Sequence, residues 1–384
     1  MTVGLLPENM FGRYLQLAAL SIYFSGRPSK LRAWYGQLNS GIQLTQGELV
    51  ELVESVRDFL VLKYGLDKYD PCQLLDRMSR DAPRFYMPND NKVLSGLLFP
   101  SFNIESCKVA QRKYYPEIAV SFIEEVRAKN GDIEVEVFKS IPMLFKSMIF
   151  SEEKVRGVPT VVAKDNVSLA IGVLGLMVSY AGRLRVGDKT LETYVLPDGS
   201  MDSLSSSLLV YTLLFKGGLE QFKSLSQRLV DLPGVSVERA LLTATSIRLA
   251  MGGSAELAEL TRSSLPEKFL IARISPEQRP NMTGINHLTS AYIAMPGGTK
   301  LLRVLDAVVG GAYGQRGGVR EKVLSPLGEC VNLVSESFLT GNKTHLVECA
   351  RLMAPLYHVK DLPGELRDGV ARLLNVLRDA YFER

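Results

Sequence analysis

The sequence predicts an α+β protein, with a mixed α/β N-terminal part carrying short sheets and a C-terminal antiparallel helical bundle. Three observations point there. Residues 166–179 form an apolar run that leads directly into two alternating segments joined by Gly187-Asp188. Residues 269–274 (FLIARI) are a further apolar segment of strand length. From Lys300 onward apolar residues recur at helical spacing with short connections, which implies antiparallel helical neighbours. A chain of 384 residues is long for one core, and the change of character divides it into a mixed domain at residues 1–298 and a bundle at residues 299–384.

Taken in order, Pro7 and Glu8 mark a helix start, followed by Leu15, Leu17, Leu20 and Phe24. In residues 24–35 (FSGRPSKLRAWY), Arg27, Lys30 and Arg32 interleave with aromatics, a pattern suited to phosphate contact and base stacking. The competing reading is an ordinary connection whose Trp34, the only tryptophan, packs on the core. Thr45 and Glu48 form a capping box before an apolar helical face. Asp70-Pro71 opens another helix, with proline at the first helical position. Residues 83–102 are loop-rich, and Lys108, Arg112, Lys113, Tyr114 and Tyr115 make a second basic-aromatic cluster before a helix at 116–129. Residues 132–138 alternate strictly, so Ile133, Val135 and Val137 face the core and the three carboxylates form a solvated outer face.

The central stretch, 166–200, organises the chain. Asp165 and Arg183 bracket seventeen uncharged residues, the lower edge of a membrane span. Interspersed Gly172, Gly175, Ser168 and Ser179, charged flanks and the patterned hairpin favour a buried helix instead. The two glycines leave room for another backbone, and Gly187-Asp188 supplies the positive φ of a two-residue turn. Leu184 and Val186 share one face, as do Leu191, Thr193 and Val195 on the return strand.

Residues 205–232 read as helix broken at Gly217-Gly218, and 236–251 as another ended by Gly252-Gly253. Residues 275–287 read as a long polar loop, the kind of connection that carries function. A helix at 301–309 precedes a flexible, basic, glycine-rich connection at 310–322. Further helices follow, with Gly341-Asn342 stopping one and capping the next.

With 46% apolar and 22% charged residues the composition is globular. The first residues lack a basic start followed by an apolar core, so no secretory signal is expected and a cytoplasmic, membrane-free protein is. Cys72, Cys107, Cys330 and Cys349 are widely spaced, and Cys330 and Cys349 read as small buried hydrophobes. Zinc ligation is not expected from four such cysteines and three histidines, and no metal or cofactor is expected.

Net charge is +4, and residues 266–322 hold eight cations against four acids. A local surplus of this kind is the footprint of a polyanion partner. Arg316, Arg320 and Lys322 are the candidates for phosphate contact. Arg279, Asn281, Asn286 and His287, on a loop stiffened by Pro276 and Pro280, are candidates for base edges, which arginine and asparagine pair bidentately. Arg273, Lys300 and Arg303 complete the patch, while Arg27, Lys30 and Arg32 offer a separate contact to RNA or a neighbouring subunit.

No phosphate-binding loop of the G-x-x-x-x-G-K-[ST] type occurs, and the glycines at 310–318 match no dinucleotide fingerprint. Met251-Gly252-Gly253-Ser254 lacks the second glycine of a nucleophile elbow. His345 and His358 are read as packing or capping residues. The expectation is therefore a non-enzyme.

Residues 166–199, ending in GRLRVGDKTLETYVLPDG, and residues 338–355 (FLTGNKTHLVECARLMAP) resemble parts of the archaeal large subunits of type I-A CRISPR interference (Cascade) complexes. The resemblance implies a non-catalytic role in a crRNA-guided antiviral ribonucleoprotein complex. Such a subunit would contact crRNA and target double-stranded DNA beside the backbone and small subunits. It would help recognise the motif flanking the target and hold the DNA for the helicase-nuclease that cuts it. The alternatives are a protein-protein scaffold without nucleic-acid contact, and a metabolic enzyme with a composite pocket.

Overall fold

The structure, a computed structural model, describes residues 2–3, 5, 11–37, 42–81, 83, 166–262, 264–275, 281–315 and 318–382. The basic-aromatic cluster at 108–115, the helix at 116–129, the strand at 132–138, most of the loop at 83–102 and the residues Arg279 and Arg316 lie outside these.

The chain opens with a short antiparallel pair, β1 (Thr2–Val3) and β2 (Ile42–Gln43). Between them α1 (Phe11–Phe24) is buried along nearly its whole length, and α2 (Pro28–Tyr35) begins on a proline. α3 (Gln46–Lys63) starts at the predicted capping box: the Glu48 amide donates to the Thr45 hydroxyl, and the Glu48 carboxylate accepts from the Thr45 amide. α4 (Pro71–Arg80) is capped by Asp70, which accepts from the Gln73 amide.

The apolar run forms α5 (Asn166–Ser179), which packs on α1. Contact is closest at Gly175, where an added Cβ would land on the Leu15 carbonyl; only glycine admits a backbone so near. Among the described residues no helix is long and apolar enough to cross a membrane. The chain passes directly into β3 (Tyr180–Val186), turns at Gly187 (φ 61°) and returns as β4 (Lys189–Pro197). Positive φ at Gly187 alone is the signature of the type II′ hairpin turn.

β4 pairs with β5 (Phe269–Ser275), and β5 with β6 (Asn281–His287), giving an antiparallel sheet in the order β3-β4-β5-β6. Residues 191–197 of β4 are all buried, the strand lying inside the sheet and against α1. One expectation is corrected here. The polar segment after residue 280 is a strand rather than a loop, its polar composition matching its place at the edge of the sheet. The opposite edge is plugged. Gln227, on α7 below, accepts from the Arg185 amide (2.8 Å) and donates to the Arg185 carbonyl (3.0 Å), as a neighbouring strand would.

Four helices follow the hairpin: α6 (Met201–Leu214), α7 (Leu219–Val230), α8 (Val237–Leu249) and α9 (Ser254–Arg262). The break between α6 and α7 falls at Gly217-Gly218 as predicted. After β6 come α10 (Ala291–Ala294), α11 (Gly298–Tyr313), α12 (Gly318–Thr340), α13 (Thr344–Tyr357) and α14 (Gly364–Phe382). α11 is longer than the sequence suggests, and α12 starts at Gly318. Arg320 and Lys322 therefore stand in the first turns of a helix, not on a flexible connector. α11 packs both on α14 and on α7 and α8, and one contiguous hydrophobic core runs through residues on both sides of position 298.

The reading of Cys330 and Cys349 as separate hydrophobes is also corrected: they form a disulfide between α12 and α13, with Cα atoms 4.5 Å apart. Neighbouring helices bring together residues that spacing alone does not connect. Gly341 stops α12 in the left-handed region, and Asn342 accepts from the Thr344 amide at the head of α13.

Candidate functional site

Three polar groupings stand out, and they differ in how completely their charges are matched. The first lies under the β3–β4 hairpin. Lys63, at the end of α3, is fully buried and donates to the carbonyls of Met177 (2.8 Å), Val178 (2.8 Å) and Tyr180. The first two are carbonyls that a helix leaves without partners at its C-terminus, and the third opens β3, so Lys63 caps α5 from another helix at its junction with the sheet. Its amine sits 4.4 Å from the Phe215 ring centroid. Burial pushes the Lys63 amine well below the ordinary lysine value, opposed by the charge of Asp81. Asp81 accepts from Tyr180 (3.0 Å) and Lys223 (2.7 Å), and its carbonyl accepts from Tyr64 (2.9 Å). Burial drives both phenols well above their usual range. Glu192 accepts from Tyr194 and Arg183. The cluster holds the helix-to-sheet junction together.

The second grouping is the predicted cationic patch; Arg279 and Arg316 lie outside the described residues, and several of the other cations are engaged within the fold. Arg27 pairs with Glu51 (3.0 Å) and Lys30 with Glu48 (2.9 Å). Trp34 packs against Tyr23 and Phe24, so this segment carries the ordinary packing reading of the tryptophan. Arg32 is exposed on the same helix. Arg273 is buried, bonded to Glu238 and donating to Asn286 (3.3 Å), which engages both residues within the fold. Arg303 donates to the carbonyls of Ala250 (2.7 Å) and Gly252 (2.8 Å), closing the C-terminal end of α8. Lys300 lies 3.7 Å from Asp379. His287 is exposed on the edge strand β6, which also carries Asn281.

Arg320 and Lys322 remain exposed, without a carboxylate partner among the described residues. The Arg320 guanidinium stacks over Tyr313 at 5.0 Å. Burial, and then the charge of Asp231, push the Tyr313 phenol up to about 12, with Arg320 and Arg228 pulling the other way. An exposed arginine held flat on an aromatic ring is well placed to meet a phosphate.

The third grouping was not anticipated. A cleft of about 570 Å³ opens between α7, α8 and α11, lined by Glu220, Gln221, Ser224, Arg228, Arg248 and Asp306 among others. Arg248 is only 8% exposed; its Nε donates to the Leu214 carbonyl (3.1 Å), its Nη1 reaches Gln221 (3.4 Å), and its Nη2 has no acceptor. Arg228 donates to the Ser224 hydroxyl (3.0 Å). Burial raises the Asp306 carboxyl above its ordinary value against the charges of Arg228 and Arg248. A signal existed in the sequence: Asp306 and Arg248 each stand as a single charge within an apolar run, between Leu305 and Ala307 and between Ile247 and Leu249.

No family model matches the chain, and neither a curated protein nor a solved structure matches it.

Proposed function

We propose that the protein is a non-catalytic nucleic-acid-binding subunit of a crRNA-guided surveillance complex, helping to recognise the flanking motif and to hold target DNA for a helicase-nuclease. The observation that carries this reading is the exposed pair Arg320 and Lys322 at the start of α12, with Arg320 stacked on Tyr313 and neither cation matched by a described carboxylate. The resemblance of residues 166–199 and 338–355 supplies the assembly, with crRNA, target duplex and neighbouring subunits as partners. The reading narrows the contact surface: Arg27, Lys30, Arg273, Lys300 and Arg303 are engaged within the fold, so phosphate contact falls to Arg320, Lys322 and their neighbourhood.

A protein scaffold is the second reading, favoured by the edge strand β6. Thr283, Ile285 and His287 are exposed along it, Ile285 at 41%. Strand addition at such an edge is a standard mode of protein recognition.

Electrophoretic titration of duplex DNA with the assembled complex separates the two. Neutralising Arg320 and Lys322 together should weaken binding across all sequences. It should also flatten the dependence of log affinity on log salt by roughly 0.9 for each lost phosphate contact. Unchanged affinity and slope would leave the scaffold reading standing.

A further inference from the structure

We propose that the cleft between α7, α8 and α11 is a phosphate-binding site, with Arg248 as its buried cation and Arg228 as its accessible one. Glu220, Gln221, Ser224 and Arg228 fall on one face of α7, while Asp306 and Gly310 lie one turn apart on α11, so three helices present polar groups to one cavity. Arg228 lies close against the α11 backbone: a Cβ on Gly310 would meet its Nη1 at 3.1 Å. Ser224 and Gln221 add a hydroxyl and a carboxamide.

The partner sets distinguish this pair of arginines from those elsewhere in the fold. Arg273 is bonded to Glu238, and Arg303 satisfies the carbonyls of Ala250 and Gly252. Neither Arg228 nor Arg248 has a carboxylate within ion-pair distance among the described residues, and Arg248 keeps an Nη2 with nothing to donate to. A buried donor without an acceptor is costly, and the planar fork of arginine matches a phosphoryl group bidentately. Glu220 is engaged by Lys223 (2.7 Å), which leaves Asp306 as the only acid in the wall without a bonded cation. Arg228 and Arg248 together face that single acid, so the surplus of charge facing the cavity is positive.

The cleft also has a direction. Tyr313 follows Asp306 and Gly310 on the same face of α11, and its phenol feels both Arg228 and Arg320. The phosphoryl group therefore arrives from one of two sources: as a small free ion or ester, or on a nucleotide reaching in from the Arg320 surface. The cleft is defined without reference to nucleic acid, and it stands if Arg320 and Lys322 prove irrelevant to DNA binding.

Calorimetric titration of the full chain with inorganic phosphate, adenosine 5′-monophosphate and adenosine tests the site. Saturable binding of phosphate or the monophosphate, and none of adenosine, is expected. Arg228→Gln, at a half-exposed position, should keep the fold and weaken binding by about tenfold, the loss of one charge-assisted contact. Arg248→Lys should weaken it as well, and Asp306→Asn should tighten it. Equal affinity for phosphate and the monophosphate identifies a small free ligand, and preference for the monophosphate identifies a nucleotide. Absence of saturable binding of both, indifference to Arg228→Gln, or weaker binding by Asp306→Asn would each overturn the proposal. If Arg248→Lys lowers the unfolding temperature sharply, Arg228→Gln decides alone.

Discussion

The cluster beneath the hairpin and the cleft at α11 contain the same kinds of side chain and put them to different use. Lys63 and Asp81 are surrounded by partners: three carbonyls for one, a phenol and a lysine for the other. Arg248 is buried and Asp306 half-buried, and they leave capacity unused, an Nη2 without an acceptor and a carboxyl with no bonded cation. Charge withdrawn from water costs several kcal/mol unless it is matched. Where the groups are matched, the polar atoms serve the fold, and in the cleft the proposed phosphate would use the capacity left over. The contrast locates a binding site without any catalytic motif.

Removing Lys63 should give the largest effect. Lys63→Met preserves the apolar stem but strips the α5 C-terminus of its donor. It should cost about 4 kcal/mol in denaturant unfolding, several carbonyls being left unsatisfied at once. A loss under about 1 kcal/mol would mean the cluster is not structural, and the comparison would break.

Gly175→Ala probes the packing that seals the same region. The added methyl requires α1 and α5 to part, and the expected cost is about 3 kcal/mol, at the upper end for overpacking a core. Circular dichroism melting of this variant beside Gly187→Ala, which strains only the turn, would separate close packing from turn geometry.

Asp306→Asn sharpens the other side with a small, signed effect. Because burial raises this carboxyl in the folded state, wild-type stability falls as pH rises from the ordinary carboxylate value through the raised one. The asparagine variant lacks that decline. The two proteins should therefore match at the acid end, and the variant should lead by no more than about 1 kcal/mol above the raised value. A wild-type protein that gains stability over this window relative to the variant would show Asp306 in a matched ion pair.

Much of this fold was legible because its signals are local. The Thr45–Glu48 box, the Gly187-Asp188 turn and the stop at Gly341 act over a few residues, and each behaves as its chemistry dictates. The central helix followed from apolarity alone. What escaped depended on distance along the chain. Arg273 meets Glu238, Arg303 meets the end of α8, and Lys63 meets carbonyls more than a hundred positions away. Counting cations in a window sees none of those partners, so Arg273, Lys300 and Arg303 read as free when they were engaged. The edge strand was missed because Asn281, Gly284 and Asn286 have poor strand propensity, and pairing with β5 overrides it. Asp306 and Arg248 were visible as single charges within apolar runs, and a search for such charges finds the cleft where a search for clusters does not.

The Gln227 side chain gives the sheet a valence. By occupying both backbone groups of Arg185, on a helix packed against β3, it obstructs strand addition on the β3 side, while β6 ends the described sheet on the other. An assembly built by strand addition can therefore grow at one end only. Two copies joined through β6 would make a finished pair with a plugged edge on each flank, and the run-on stacking that threatens sheets with two open sides stops at the first union.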